Sequence, residues 1–199
     1  MNSNSDTYRS IAAPAKGIYK ELGSKFLAFA YPVETEEAAK NILAAVRKEY
    51  FDARHHCFAW RLGLTGEPYR YSDDGEPSST AGRPIHGQLL SQELSDILVV
   101  VVRYFGGVKL GVPGLIRAYR TATQDALANA TVVEKIAGQF FTVQFGYLQM
   151  NDVMKVLKEM GVTPLRQEFD LDCRLEVRVR LNQIEEFRKQ LAFCQINLK

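Results

Sequence analysis

The sequence predicts an α+β protein of two domains, and three observations predict it. A β-branched apolar run, Ile97 to Arg103, leads into a glycine-rich loop and an apolar-faced helix, as a central strand buried on both faces would. Glu34 to Tyr50 places Ala38, Ile42, Ala45 and Val46 at spacings of three and four, the period of an amphipathic helix. Beyond residue 134 the rhythm changes to strand, helix, strand, strand, helix, which a short last strand would complete.

Taken in order, a polar lead comes first. Lys25 to Tyr31 then alternates aromatic residues as a strand, ended by Pro32. The helix Glu34–Tyr50 carries Glu34, Glu36 and Glu37 at its positive end and Arg47 and Lys48 near the other. His55 to Leu62 is a second strand, Gly63 to Gly66 a turn, and Tyr69 to Ser72 a short strand. Residues 73–84 are turn-rich, opening a helix from about Thr80 or Pro84 to Leu90. The strand Ile97–Arg103, the glycine loop Phe105–Gly114 and a helix Leu115–Ala130 follow, the helix lined by Leu115, Ala118, Ala122, Ala126 and Leu127. Val132 and Val133 finish the first domain's sheet, which places the boundary near Thr131–Gly138 and divides the chain into residues 1–134 and 135–199. The second domain reads as strand Phe140–Phe145, helix Gln149–Met160, strands Thr163–Asp170 and Asp172–Leu181, helix Ile184–Ala192 and a last strand Gln195–Leu198. This βαββαβ order is ferredoxin-like, with two helices on one face of an antiparallel sheet.

Composition narrows the class. The chain has 199 residues, 46% hydrophobic and 24% charged, which is globular rather than disordered or fibrous. Its longest aliphatic run, Ile97 to Val102, is far short of the roughly 18 residues of a membrane span, so a soluble protein without a membrane partner is expected. Met1 to Arg9 is polar and lacks the apolar stretch of a secretory signal, which points to the cytoplasm. Cys57, Cys173 and Cys194 are odd in number and widely spaced, so reduced thiols are expected rather than disulfides or a paired zinc motif. No metal and no cofactor is expected. The net charge of +2 does not announce a nucleic-acid binder, but Arg103 to Arg120 contains Lys109 and Arg117 and no acidic residue.

The common nucleotide and hydrolase signatures are absent from the sequence. Three segments are more polar or more glycine-rich than connectors need. In the first, a buried strand feeds Gly106, Gly107 and Gly111 into a helix start, where free N–H groups at the positive dipole end suit an anion such as phosphate. Lys109 supplies charge there, and Tyr104 and Arg117 contact base and backbone; the other reading is that the glycines only meet tight backbone needs. In the second, Asp73, Asp74 and Glu76 can bind a cation or act as acid and base, or can cap turns and pair with Arg83. In the third, His55 and His56 are adjacent in a strand and point to opposite faces, so at most one joins any site. Either is otherwise a hydrogen-bonded structural histidine. Together the last two segments define a polar cleft of His55, His56, Asp73, Asp74, Glu76 and Arg83.

Three runs in these segments carry a resemblance: His55 to Arg61 (HHCFAWR), Ser72 to Pro84 (SDDGEPSSTAGRP) and Val101 to Gly111 (VVRYFGGVKLG). In that order they resemble the Impact family, in its bacterial form, across the N-terminal domain; the C-terminal half resembles the smaller domain of those members in length and strand order. The resemblance implies an N-terminal fold like domain 2 of ribosomal protein S5, with a left-handed βαβ crossover, shared with the fourth domain of the translocating elongation factor. It implies a ferredoxin-like C-terminal domain similar to that factor's fifth. Eukaryotic relatives are linked to translational control through a kinase that senses amino-acid starvation, using an additional domain this chain does not show. Two residues depart from the family pattern. Ser79 stands where Gly is frequent, a mild change for a backbone with φ below zero, and Pro113 stands where Gly is common, removing one N–H from the anion cradle.

The leading expectation is a non-catalytic RNA- or ribosome-associated regulator of translation. Its contacts would be Arg103, Tyr104, Gly106, Gly107, Lys109, Gly111, Arg117 and Arg120. The alternative is a small enzyme built on the polar cleft. A third reading is a module for a translation-related protein partner, presenting Arg174, Arg178 and Arg180 on one strand face, where Glu176 lowers the charge.

Overall fold

The computed structural model describes residues 6–170, 172–194 and 196. Contacts divide the chain into two compact units, Tyr8–Lys135 and the residues from Ile136 onward together with Asp6 and Thr7. The architecture is mixed α+β, with five α-helices among the described residues.

In the first unit, β2 (Ala15–Glu21), β3 (Ser24–Pro32), β4 (His55–Arg61), β5 (Tyr69–Ser72) and β6 (Ile97–Tyr104) form one sheet in the order β2-β3-β6-β4-β5. Every neighbouring pair is antiparallel, so β3 and β4 run parallel on either side of β6, joined through α1 (Glu36–Glu49). β6 is buried along both faces. Ile97, Val99 and Val101 pack with Phe26, Ile85, Leu89 and Tyr119 on the side of α2 (Gly82–Ser91) and α3 (Gly111–Ala128). Leu98, Val100 and Val102 pack with Phe29, Trp60 and Val46 under α1. A strand covered twice has no polar face, which is why its sequence is an unbroken apolar run. α1 begins at Thr35, whose side chain accepts from the Ala38 N–H as an N-cap.

Three expectations need correction. The polar lead contains two strands, β1 (Thr7–Ile11) and β2. β2 is the sheet's edge with one half-exposed face, so Lys16 and Lys20 sit there without cost and mask its period. Gly17 within it admits the close passage of α3, since a Cβ there would lie 2.2 Å from the Ala126 nitrogen. Val132 and Val133 do not finish the main sheet; β7 (Val132–Ile136) pairs with β1 in a separate two-stranded sheet. α3 starts at Gly111 rather than Leu115, because Pro113 fits a first turn, where its missing N–H has no intrahelical partner to lose.

The second unit contains β8 (Gly138–Gly146), α4 (Met150–Glu159), β9 (Pro164–Glu168), β10 (Asp172–Arg180) and α5 (Ile184–Phe193). Its antiparallel sheet has the order β8-β10-β9. Phe141, Val143, Leu175, Val177 and Val179 point inward against Val153, Leu157, Phe187 and Leu191 of the two helices, leaving the alternate residues on an open face. The expected strand at Gln195–Leu198 lies outside the described residues, apart from Ile196, which is buried and not in a strand. No helix among the described residues is long and apolar enough to cross a membrane.

Candidate functional site

The sheet register brings the three polar segments together. β4 and β6 are antiparallel with His55 opposite Arg103, so the start of one strand meets the end of the other, and the glycine loop and α3 continue from there. A cavity of about 400 Å³ opens at this junction, lined by His55, Glu76, Arg103, Lys109 and Arg54 among its polar residues, and by Phe105, Leu110, Val112 and Leu115.

Its floor is a buried ion pair. Arg103 Nη1 donates to Glu76 Oε1 at 2.6 Å, and the two residues are only 7% and 9% exposed. The Tyr119 hydroxyl donates to the same oxygen at 2.8 Å. Cys57 Sγ lies 3.3 Å from that hydroxyl and 3.0 Å from the Asp73 carbonyl. Burial pushes the Cys57 thiol and the Tyr119 phenol up, which favours the protonated form of each. The Arg103 guanidinium lies over the rings of Phe26 and Phe105, 5.5 and 5.6 Å from their centroids.

The polar-cleft residues are placed apart. Asp73 caps the entry to α2: its Oδ1 accepts the N–H groups of Ala81 and Gly82, and its Oδ2 that of Ser79. Asp74 takes Arg47 Nη2 on Oδ1 and the His56 backbone N–H on Oδ2, each at 2.7 Å. His56 is buried, with Nε2 3.0 Å from the Tyr50 carbonyl. Arg83 is exposed and outside the cavity. Of the six, only His55 and Glu76 line the cavity. His55 Nδ1 sits 2.9 Å from the Asp74 carbonyl, which can only accept, so Nδ1 carries the proton and Nε2 is left for the cavity. Among the described residues no three His, Cys, Asp or Glu side chains are placed to share a metal ion.

The glycine-loop residues divide in the same way. Gly106 passes against Gly23, where a Cβ would meet the Gly23 carbonyl carbon at 2.0 Å, and its N–H is taken by Ser24 Oγ. Gly107 and Gly111 hold positive φ, 89° and 68°, which glycine alone adopts freely. The Tyr104 hydroxyl donates to Asp52 Oδ1, a bond that, with burial, pushes the phenol up to about 12. Arg117 pairs with Glu21, whereas Lys109 and Arg120 are exposed without an ion pair among the described residues. Arg54, also exposed and without an ion pair among the described residues, is a cavity residue the sequence reading missed; the signal was a cation directly before His55, hidden in a polar turn.

Ser79 has φ 64°, so the condition under which its departure from the family pattern would be mild is not met: the position is left-handed, which is why glycine suits it. In the second unit Arg174 faces Glu176 at 3.6 Å, Arg178 donates to the Ile136 carbonyl and covers Phe140, and Arg180 grips both oxygens of Asp6.

Comparisons with known proteins span these runs. The family model described as the Impact N-terminal domain matches residues 22–127, which hold every lining residue of the cavity. The IMPACT family member YigZ of Escherichia coli K12 is 34% identical over 183 residues, covering 91% of this chain and 90% of its own. An IMPACT family member of Thermus thermophilus is 48% identical over 107 residues, covering 54% of this chain and 56% of its own. A crystal structure described only as that of a hypothetical protein matches with a TM-score of 0.74 and 32% identity, covering 97% of this chain and 96% of the other. With the family model spanning more than half of the chain and a relative matched almost end to end, this chain belongs to the Impact family.

Proposed function

We propose that this protein is a non-catalytic RNA- or ribosome-associated protein that acts on translation in the cytoplasm. The observation that carries the reading is the mouth of the cavity, where Arg54 and Lys109 stand without carboxylate partners among the described residues, beside the exposed ring of Phe105 and the start of α3. Cations held apart from carboxylates bind phosphates, and a ring at 53% exposure offers an unpaired base a stacking face. Within this reading residues 1–134 are an S5 domain 2-like module and residues 135–199 a ferredoxin-like module similar to an elongation-factor domain. The strand order β8-β10-β9, with both helices on one face, supports the second assignment.

Co-sedimentation with ribosomes and with bulk transfer RNA across a salt series tests the proposal. Binding through Arg54, Lys109 and Arg120 should fall with a log–log slope of about −2 to −3. It should be lost in Lys109→Glu/Arg120→Glu, with circular dichroism unchanged. Absence of binding at low salt, or a slope near zero, overturns it.

A further inference from the structure

We infer that the interior of the cavity is a site for a phosphomonoester borne on a sugar that also carries a flat base, the chemical class of nucleoside monophosphates and of phosphorylated RNA ends. The inference deepens the RNA reading and rests on it only for the second of these sources.

Its first ground is an incompletely paired guanidinium. An arginine has five N–H donors in a planar fork. Arg103 lines the cavity at 7% exposure, donates one hydrogen bond, to Glu76, and has a buried Nε with no partner among the described residues. Native interiors rarely leave such donors unused, and an anionic oxygen is the partner they suit.

Charge is the second ground. Glu76 cancels Arg103, so the uncompensated charge of the cavity is that of Arg54 and Lys109. A phosphomonoester carries about −1.5 to −2 near neutral pH and matches two cations, whereas an internal phosphodiester carries a single charge. α3 begins in the same wall with no side-chain cap and adds the positive end of its dipole; Pro113 withholds one N–H, while Gly111 and Val112 keep theirs. His55 Nε2, left free by the Nδ1 contact with the Asp74 carbonyl, accepts from the phosphate hydroxyl.

Shape is the third ground. About 400 Å³ lies toward the small end of ligand sites, a volume for one nucleotide rather than a dinucleotide. Phe105, Leu110, Val112 and Leu115 give the ring an apolar wall.

The test is calorimetric titration of the full chain with a nucleoside 5′-monophosphate, with the matching nucleoside, and with one short single-stranded RNA bearing a terminal phosphate or only hydroxyl ends. The monophosphate should bind and the nucleoside should not. Arg54→Gln and Lys109→Gln should each weaken the monophosphate about tenfold or more, and Lys40→Gln on α1 should leave it unchanged. A preference for phosphorylated RNA ends places the source in RNA, and monophosphate binding without that preference places it in free nucleotides; both support the site. Equal binding of nucleoside and monophosphate overturns it, as does indifference to both cavity variants. RNA binding that ignores the end phosphate, with no monophosphate bound, overturns this inference and leaves the RNA reading. Monophosphate binding without RNA binding does the reverse.

Discussion

The two units solve the same problem, a sheet that must be covered, in different ways, and the difference decides where a site can form. In residues 8–135 helices lie on both faces, so β6 is apolar from Ile97 to Val102 and polar groups are driven to the strand ends, where Arg103 faces His55. There a charge must be buried, and Glu76 and Tyr119 hold it. In the second unit helices cover one face, so β10 alternates buried Leu175, Val177 and Val179 with exposed Arg174 and Arg178, and its charges stay in water. Twofold coverage therefore gathers polar groups at an open cavity beside the strand ends, and single coverage makes an open charged face.

Substitutions at equivalent depths should break the comparison if it is wrong. Val100→Asp, between β6 and α1, should cost more than about 4 kcal/mol and unfold the first unit. Trp60, the sole tryptophan and packed in the same cluster, reports this by fluorescence. Glu76→Ala strands the Arg103 charge and should cost about 3–5 kcal/mol in a denaturant titration, with Arg103→Met added to it recovering most of the loss. Ser79→Gly, relieving a left-handed φ of 64°, should stabilise by about 0.5–1 kcal/mol in the same assay.

The second unit should respond to acid instead. The hydrogen bonds and charge of Arg180 hold the Asp6 carboxyl below its ordinary value, although burial opposes them. A depressed carboxyl contributes stability above its unfolded pKa, about 3.9, that is lost as pH falls through the folded value. Methyl resonances of Leu175 and Val177, followed by NMR below about pH 4, should lose this acid-sensitive component in Asp6→Asn. The smallest effect is expected on the open face, where Glu176→Val should change stability by no more than about 0.5 kcal/mol. Were it to cost as much as Glu76→Ala, the contrast between the two sheets would fail.

The sequence by itself determined the elements whose period is strong. β6 is legible because both its faces are apolar, and α1 and β10 because spacings of four and of two sort their residues cleanly. Runs around His55, Asp73 and Arg103 were also legible as the places where chemistry could sit, and they lie within the span that the Impact N-terminal domain model matches. β1 and β2 were not legible, since edge strands with exposed faces tolerate lysine and lose their alternation. Only the tertiary structure decided which polar residues meet. The antiparallel register of β4 on β6 set His55 against Arg103 and brought Arg54 and Glu76 to the same cavity, while Asp73, Asp74 and His56 were spent on backbone groups and Arg47. Such pairings join residues 9, 18, 27 and 48 positions apart, and a local pattern carries no information about which N–H or guanidinium a carboxylate will satisfy.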